Sequence, residues 1–286
     1  MVVAEFDVAT EFAKPDSRGR NPAIHGKRHV DPREEPGDDD MKIRTGPDLT
    51  TAPATTATLR ADRRLYGRRR GRPLRPGRQQ LTQTLLPRLA LALPERGSLD
   101  PTSLFPSPPV AVWLEIGFGG GEHLAAQTAA HPEIGFVGSE VFESGVARLV
   151  GEVKRRDLGN IRIFADDARL LLDALPPASL GRVFILFPDP WPKRRHHKRR
   201  LIAPATLDRL AFVMQPGAEL RLTTDDRDYL AWMLEHLTAH PDFAWLARRP
   251  ADWRERPSDW PPTRYEEKAR AAGRTPAFLR FVRRSG

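Results

Sequence analysis

The chain has 286 residues, 40% of them hydrophobic and 29% charged, enough for one domain of roughly 200 residues with further segments attached. No run reaches the roughly 20 apolar residues of a membrane span, and the absence of cysteine excludes disulfides and thiolate chemistry and disfavours a structural zinc site. A net charge of +9 points to a polyanionic partner, although charge alone does not separate that from ordinary solubility. The start, MVVAEFDVATEF, carries acids and lacks a basic segment followed by an apolar one, so no secretory signal is read and a cytoplasmic location is expected.

Residues 1–60 mix Pro, Gly, Asp and Thr without helical or alternating periodicity and read as a disordered tail. Met41, after the acids Asp38 to Asp40, is a second candidate start. Residues 61–80 form an arginine-rich arm. Its stretch 63–78 holds eight arginines and no acid, with Pro and Gly set against a regular helix, and it reads either as solvated surface or as a phosphate-binding arm. Residues 81–286 are the expected globular domain.

From about residue 110, short β-rich runs alternate with amphipathic stretches, the pattern of a parallel sheet with crossover helices. Strands are expected at Val112–Ile116, Phe136–Glu140, Ile161–Phe164, Arg182–Phe187 and Ala218–Thr223. Helices are expected at Glu122–Ala130, Ser144–Arg156, 168–174, 203–214 and Asp226–Leu237. The last run, Ala277–Val282, is expected to pair antiparallel at the sheet edge.

After the first strand comes LEIGFGGG, with Gly117, Gly119 and Gly121 where a doubly wound sheet binds its ligand. Glu122 stands where the dinucleotide fingerprint has its third glycine, and Glu115 is acidic inside an apolar strand. A carboxylate there suits a cationic ligand better than a pyrophosphate, and S-adenosylmethionine, with its ammonium and sulfonium, fits. Glu140, at the end of the second strand, is placed to accept hydrogen bonds from ribose hydroxyls. Asp166 and Asp167 follow the third strand. Asp167 is the preferred contact for an adenine amino group, and one of the pair is free to cap the next helix.

The most informative segment is ILFPDPWPKRRHHKRR, an apolar strand running into Pro188, Asp189, Pro190 and Trp191 and then a dense cationic block. Prolines stiffen the loop and present Asp189 at the carboxyl end of the sheet. Six of the eight residues from Lys193 to Arg200 are Lys or Arg, a block suited to phosphates. The pair His196 and His197 has no Cys or acidic partner at a usual metal spacing, so no metal is expected. Trp191, Trp253, Trp260 and Tyr265 are candidates for stacking on an exposed base, with core or interface packing an equal reading for Trp253 and Trp260.

Through E-I-G-x-G-x-G, Glu140, the D-A at 167–168, F-P-D-P-W at 187–191, T-D at 224–225 and T-R-Y-E at 263–266, the chain resembles the bacterial tRNA (guanine-N7)-methyltransferase family. The match runs from about residue 63 to the end. The resemblance implies an α/β fold, the doubly wound, mostly parallel, Rossmann-like seven-stranded sheet of class I methyltransferases with an antiparallel edge strand. It implies methyl transfer from S-adenosylmethionine to N7 of a guanine in tRNA, by a monomer or homodimer without membrane or metal. It also implies that Glu115, Gly117, Gly119, Glu140, Asp167 and Asp189 contact the cofactor, with Asp189 at the reacting centre. Lys193, Asp225, Thr263, Arg264, Tyr265 and Glu266 are then expected at the substrate nucleotide, and Arg195, His196, His197, Lys198, Arg199 and Arg200 at the tRNA. One departure is visible, because Asp226 follows Asp225 where many family members carry an aromatic residue. Two other readings stay open: a DNA amino-methyltransferase, since P-D-P-W is close to the D-P-P-aromatic loop of those enzymes, and a non-catalytic RNA-binding protein on the same fold.

Overall fold

A computed structural model describes residues 65–285. The expected tail, Met41 and the first residues of the arm lie outside the described residues. The chain begins with helix α1 (Pro76–Leu89) and a short 3-10 turn at Pro101–Leu104. It then alternates through β1 (Ala111–Ile116), α2 (Glu122–Ala130), β2 (Ile134–Ser139), α3 (Glu143–Arg156), β3 (Ile161–Phe164), α4 (Ala168–Ala174) and β4 (Leu180–Leu186). After a 3-10 turn at Arg194–Arg199 follow α5 (Pro204–Val213), β5 (Met214–Thr224), α6 (Arg227–Ala239), β6 (Phe243–Trp245), α7 (Ala251–Arg254), α8 (Arg264–Ala271) and β7 (Ala277–Arg283).

The strands form one seven-stranded sheet in the order β3-β2-β1-β4-β5-β7-β6. The first five pair in parallel, and β7 runs antiparallel to β5. The order reverses between β1 and β4, which opens a crevice at the carboxyl ends of these strands. The antiparallel strand read from the sequence belongs to the edge pair of the sheet, with the three residues of β6 lying beyond it. At the opposite side β3 has only four residues, and the segment after α1 meets it through a bridge between Ala90 and Ile163.

The apolar spacing of α3 explains its place. Val146, Leu149, Val150 and Val153 recur at i, i+3, i+4 and i+7 and are all buried, in a cluster with Phe136 of β2 and Ile161 and Ile163 of β3. Each such side chain contributes about 1.5–3 kcal/mol by leaving water. Lys154, Arg155 and Arg156 close the helix, where cations are favourable at its C-terminus. Partly buried Leu81, Leu85 and Leu86 of α1 pack on the same cluster.

Helix α1 corrects the reading of the end of the arm, from Pro76 on, while residues 65–75 form no helix. Proline at position 76 stands at the start of the helix, where its missing N–H is no loss, so it begins this helix instead of preventing it. Pro87 near its end is followed by the turn into Ala90. Among the described residues no helix is long and apolar enough to cross a membrane.

Candidate active site

The crevice contains a cavity of about 740 Å3, within the range of small-molecule sites. Its walls come from the carboxyl ends of four strands: Gly117 and Gly119 after β1, Ser139 at the end of β2 and Glu140 after it, Asp166 and Asp167 after β3, and Phe187 and Asp189 after β4.

The glycine loop turns from β1 into α2. Gly119 has φ of +57°, a conformation that favours glycine, and a Cβ added there would press on the Tyr265 ring at 3.0 Å. Glu140 fastens this loop. One carboxylate oxygen accepts the Gly119 amide at 2.8 Å, and the other accepts the amides of Val141 and Phe142 at 2.8 and 2.9 Å. Desolvation nonetheless pushes the Glu140 carboxyl up, against the lowering effect of those amides. The oxygen that holds Gly119 keeps acceptor capacity for a hydroxyl.

Glu115 is buried in β1 and is not part of the cavity wall. It meets Nδ1 of His123, in the first turn of α2, at 2.7 Å. His123 is as deeply buried and packs against Phe184 with ring centroids 4.9 Å apart. Sequence reasoning missed it, because a histidine two residues after a glycine loop carries no pattern of its own.

Asp167 caps α4 by accepting the Arg169 amide at 3.0 Å, and its carboxylate also pairs with the Arg169 side chain at 2.6 Å. Asp166 pairs with Arg69, which brings the arginine-rich arm to the cavity. The arm lies along the N-terminus of α3, where the Glu143 amide donates to the Arg69 carbonyl at 2.9 Å. Leu65, Tyr66, Gly67 and Arg68 belong to the cavity wall.

The loop after β4 is bracketed by two aromatic residues in the left-handed region, Phe187 with φ of +51° and Trp191 with φ of +46°. Such conformations cost about 1–3 kcal/mol each and gather at functional sites. Between them, Asp189 is exposed on the cavity wall, and desolvation pushes its carboxyl up from the ordinary value of 3.8. The Phe187 ring stacks on Tyr265 at 6.1 Å.

The cationic block folds as a 3-10 turn, and its residues have unlike surroundings. Lys193, Arg194, Arg195 and Lys198 are exposed. Arg199 lies over the rings of Tyr66 and Trp191, 4.8 and 4.9 Å from their centroids. His196 meets the edge of Trp191, and partial burial and the surrounding cations push its imidazole down. His197 faces Asp228 at 3.6 Å and the Trp232 ring. Arg200 is fully buried, so the structure does not bring it to the surface with the others.

The candidates after β5 divide in the same way. Asp225 pairs with Arg274 at 2.6 Å, and Asp226 caps α6 by accepting the Tyr229 amide at 2.8 Å. That cap gives the departure from the family pattern a local role. Thr263 caps α8 through the Glu266 amide at 3.1 Å, while the Glu266 carboxylate is held by Arg256 at 3.4 Å and Arg270 at 3.0 Å. Arg264 and Tyr265 reach the cavity wall; Lys193, Asp225, Thr263 and Glu266 do not. Trp260 is buried against Phe278, so it is a core residue, and Trp253 lies under Arg254. Among the described residues no cluster of His, Asp and Glu could hold a metal ion.

A family model described as “Putative methyltransferase” matches residues 110–279. The chain is 56% identical over 226 residues to the tRNA (guanine-N(7)-)-methyltransferase of Rhodospirillum rubrum, covering 78% of this chain and 89% of that protein. It is 52% identical over 224 residues to the protein of the same name from Paramagnetospirillum magneticum, covering 78% and 93%. For the one from Nitrobacter hamburgensis the identity is 48% over 220 residues, covering 77% and 86%.

Proposed function

The chain belongs to the tRNA (guanine-N(7)-)-methyltransferase family, and on that premise we propose that it transfers a methyl group from S-adenosylmethionine to N7 of a guanine in the variable loop of tRNA. One observation carries the reading: a single cavity is walled by Gly119, Glu140 and Asp189 and also by Lys198 and Arg199, so a cofactor crevice opens directly onto a cationic rim.

The donor set suits the cofactor. The cavity wall carries acids and cations together; Asp166, Asp167 and Asp173 are paired with Arg69, Arg169 and Arg209, while Glu140 and Asp189 present carboxylates at the ends of β2 and β4 that suit a ligand bearing positive charge. Gly117 and Gly119 let backbone approach it closely, and Glu140 has acceptor capacity left for a ribose hydroxyl. Asp167 and its neighbour Asp166 stand at the third strand end for the adenine side. Glu115 acts from behind the glycine loop, through His123, by holding the first turn of α2. When bound, the cofactor supplies an electrophilic methyl group on a sulfonium.

Guanine N7 has a lone pair in the ring plane and no proton to remove, so this chain's part is alignment and charge stabilisation, not base catalysis. The base turns cationic as it accepts the methyl. The Asp189 carboxylate, on a stiffened loop, stabilises that charge. Tyr265 and Arg264 form the wall beside Asp189, while Asp225, Thr263 and Glu266 shape the substrate side through their caps and ion pairs. Exposed Lys193, Arg195 and Lys198, with His196, His197 and Arg199 behind them, meet the tRNA backbone.

The test is incubation of the full chain with tRNA and methyl-labelled S-adenosylmethionine, followed by mass spectrometry of the digested nucleosides. Label in 7-methylguanosine is expected. Label on an exocyclic amine, or transfer to duplex DNA in preference to tRNA, overturns the reading.

A further inference from the structure

Arg200 ends a run of cations, yet its surroundings are those of a core residue. Its side chain is fully buried, and its guanidinium lies between two rings of α6, 4.9 Å from the centroid of Tyr229 and 5.0 Å from that of Trp232. Its Nε donates to the carbonyl oxygen of Pro190 at 2.9 Å, and one terminal nitrogen pairs with Asp228 in the first turn of α6. A buried guanidinium is costly unless hydrogen bonds satisfy it. Here Nε and one terminal nitrogen bond to the residue next to Asp189 and to the helix that follows β5, while the other terminal nitrogen has no hydrogen-bond partner among the described residues and the side chain borders the cavity.

The surrounding bonds make the same connection. Trp232 Nε1 donates to the Ile202 carbonyl at 2.6 Å, and the Ile202 amide donates to the Tyr229 hydroxyl at 3.2 Å. Residues 200–202 are thus stitched to one face of α6. Arg200 extends the stitching to the 187–191 loop by a hydrogen bond to the Pro190 carbonyl, while Arg199 and His196 reach the same loop through the Trp191 ring; the ends of the loop hold Phe187 and Trp191 in the left-handed region. Strained backbone persists where its surroundings over-determine it, and Pro190, which has no N–H, offers its carbonyl as the one backbone hydrogen-bonding group by which it can be held.

We infer that Arg200 is a positioning residue for the loop that carries Asp189, tying Pro190 to Asp228 of α6, and that it is not a phosphate contact like its exposed neighbours. The inference rests on the proposed methyl transfer at this cavity. A phosphate contact contributes to tRNA affinity and to its salt dependence; a loop anchor contributes to turnover once tRNA is bound. A misplacement of about 1 Å near reacting groups is able to cost about 100-fold in rate.

The experiment compares the full-length wild type with Arg200→Ala, Arg200→Lys and Asp228→Asn, and with Arg195→Ala as an exposed control. It measures formation of 7-methylguanosine at saturating tRNA, and tRNA affinity from low to high salt. Arg200→Ala is expected to lower kcat by about 100-fold while leaving the slope of log affinity against log salt unchanged. Added guanidinium ion should restore part of its kcat. Arg200→Lys keeps the charge but not the fork, so its kcat should stay low; it also serves if the alanine variant does not fold. Asp228→Asn should lower kcat with the salt slope intact. The inference is overturned if Arg200→Ala reduces the salt slope by about 0.7–0.9, as expected for Arg195→Ala, while kcat at saturating tRNA stays near wild type. It is equally overturned if Arg200→Lys and Asp228→Asn both keep full kcat. Failure of the wild type itself to form 7-methylguanosine would instead strike the proposed function, which keeps the two failures apart.

Discussion

The carboxylate of Glu140 accepts the amide of Gly119 at 2.8 Å, so the end of β2 holds the glycine loop that follows β1. The residue read from the sequence as a ribose contact is therefore also a clamp on the cofactor loop. Replacing it removes three bonds to backbone amides and, on the proposed reading, a charge-assisted bond to the cofactor. Glu140→Ala should weaken S-adenosylmethionine binding by at least the roughly 1.5–3 kcal/mol of one charged hydrogen bond. Glu140→Gln, which retains an acceptor, should lose less. Calorimetric titration is the check, and unchanged affinity in the alanine variant would remove Glu140 from the site.

Asp189→Ala should abolish turnover and leave tRNA binding intact, because the role proposed for the carboxylate is at the transferring methyl and not at phosphates. Single-turnover methylation beside a filter-binding titration separates the two. Near-normal turnover would refute the mechanism.

The raised pKa of Asp189 gives a pH dependence with a definite sign. The proposed role needs the ionised carboxylate, so kcat/KM should fall as pH drops through a value above the ordinary 3.8. A carboxyl whose folded pKa is raised favours the folded state most when protonated, and that contribution is lost as pH rises through the folded value. Asp189→Asn should accordingly give a slightly more stable free protein at neutral pH, with the gain vanishing in acid. Thermal unfolding across this range checks the sign, and a gain that grows in acid would contradict it.

The exposed cations of the 3-10 turn should each change the salt dependence of tRNA binding. Neutralising Arg195 and Lys198 together should reduce the slope of log affinity against log salt by up to about 1.4–1.8, at about 0.7–0.9 per phosphate. Cofactor affinity should not change. A slope equal to wild type would mean that tRNA docks elsewhere.

His123→Leu should leave the Glu115 carboxylate buried without its partner. Leaving a buried hydrogen-bonding group unsatisfied typically costs about 1–3 kcal/mol, and more for a charged one. The double variant His123→Leu, Glu115→Leu should recover much of that loss in denaturant unfolding. If the single variant is as stable as wild type, the pair is not holding strand to helix.

Much of this was legible in the sequence, for a physical reason. Strands such as Ile161–Phe164 and helices such as Glu122–Ala130 follow from apolar periodicity, and the acids at strand ends follow from where a doubly wound sheet opens. What stayed hidden depends on distant contacts. Helix α1 is polar over most of its surface and carries two internal or initial prolines, so only its leucines on the α3 cluster reveal it. β6 is three residues long, below the length at which alternation is detectable. Arg200 looks like its neighbours in one dimension, and only the rings of Tyr229 and Trp232, some thirty residues on, make it a core residue. The one local hint is that Leu201 and Ile202 follow it directly. The ion pairs of Glu266 with Arg270 and of Asp225 with Arg274, two residues expected at the substrate nucleotide, are likewise contacts that no local pattern shows.

The ends of the sheet have a further consequence. Of the two outermost strands, β6 has three residues and β3 has four, and the segment after α1 already bridges to β3 through Ala90. Each border thus offers a neighbouring molecule only a few unpaired amides and carbonyls. Long open borders template edge-to-edge aggregation, and short or covered ones resist it. Among the described residues, neither border of the sheet is a long open template on which a second copy could add itself strand by strand.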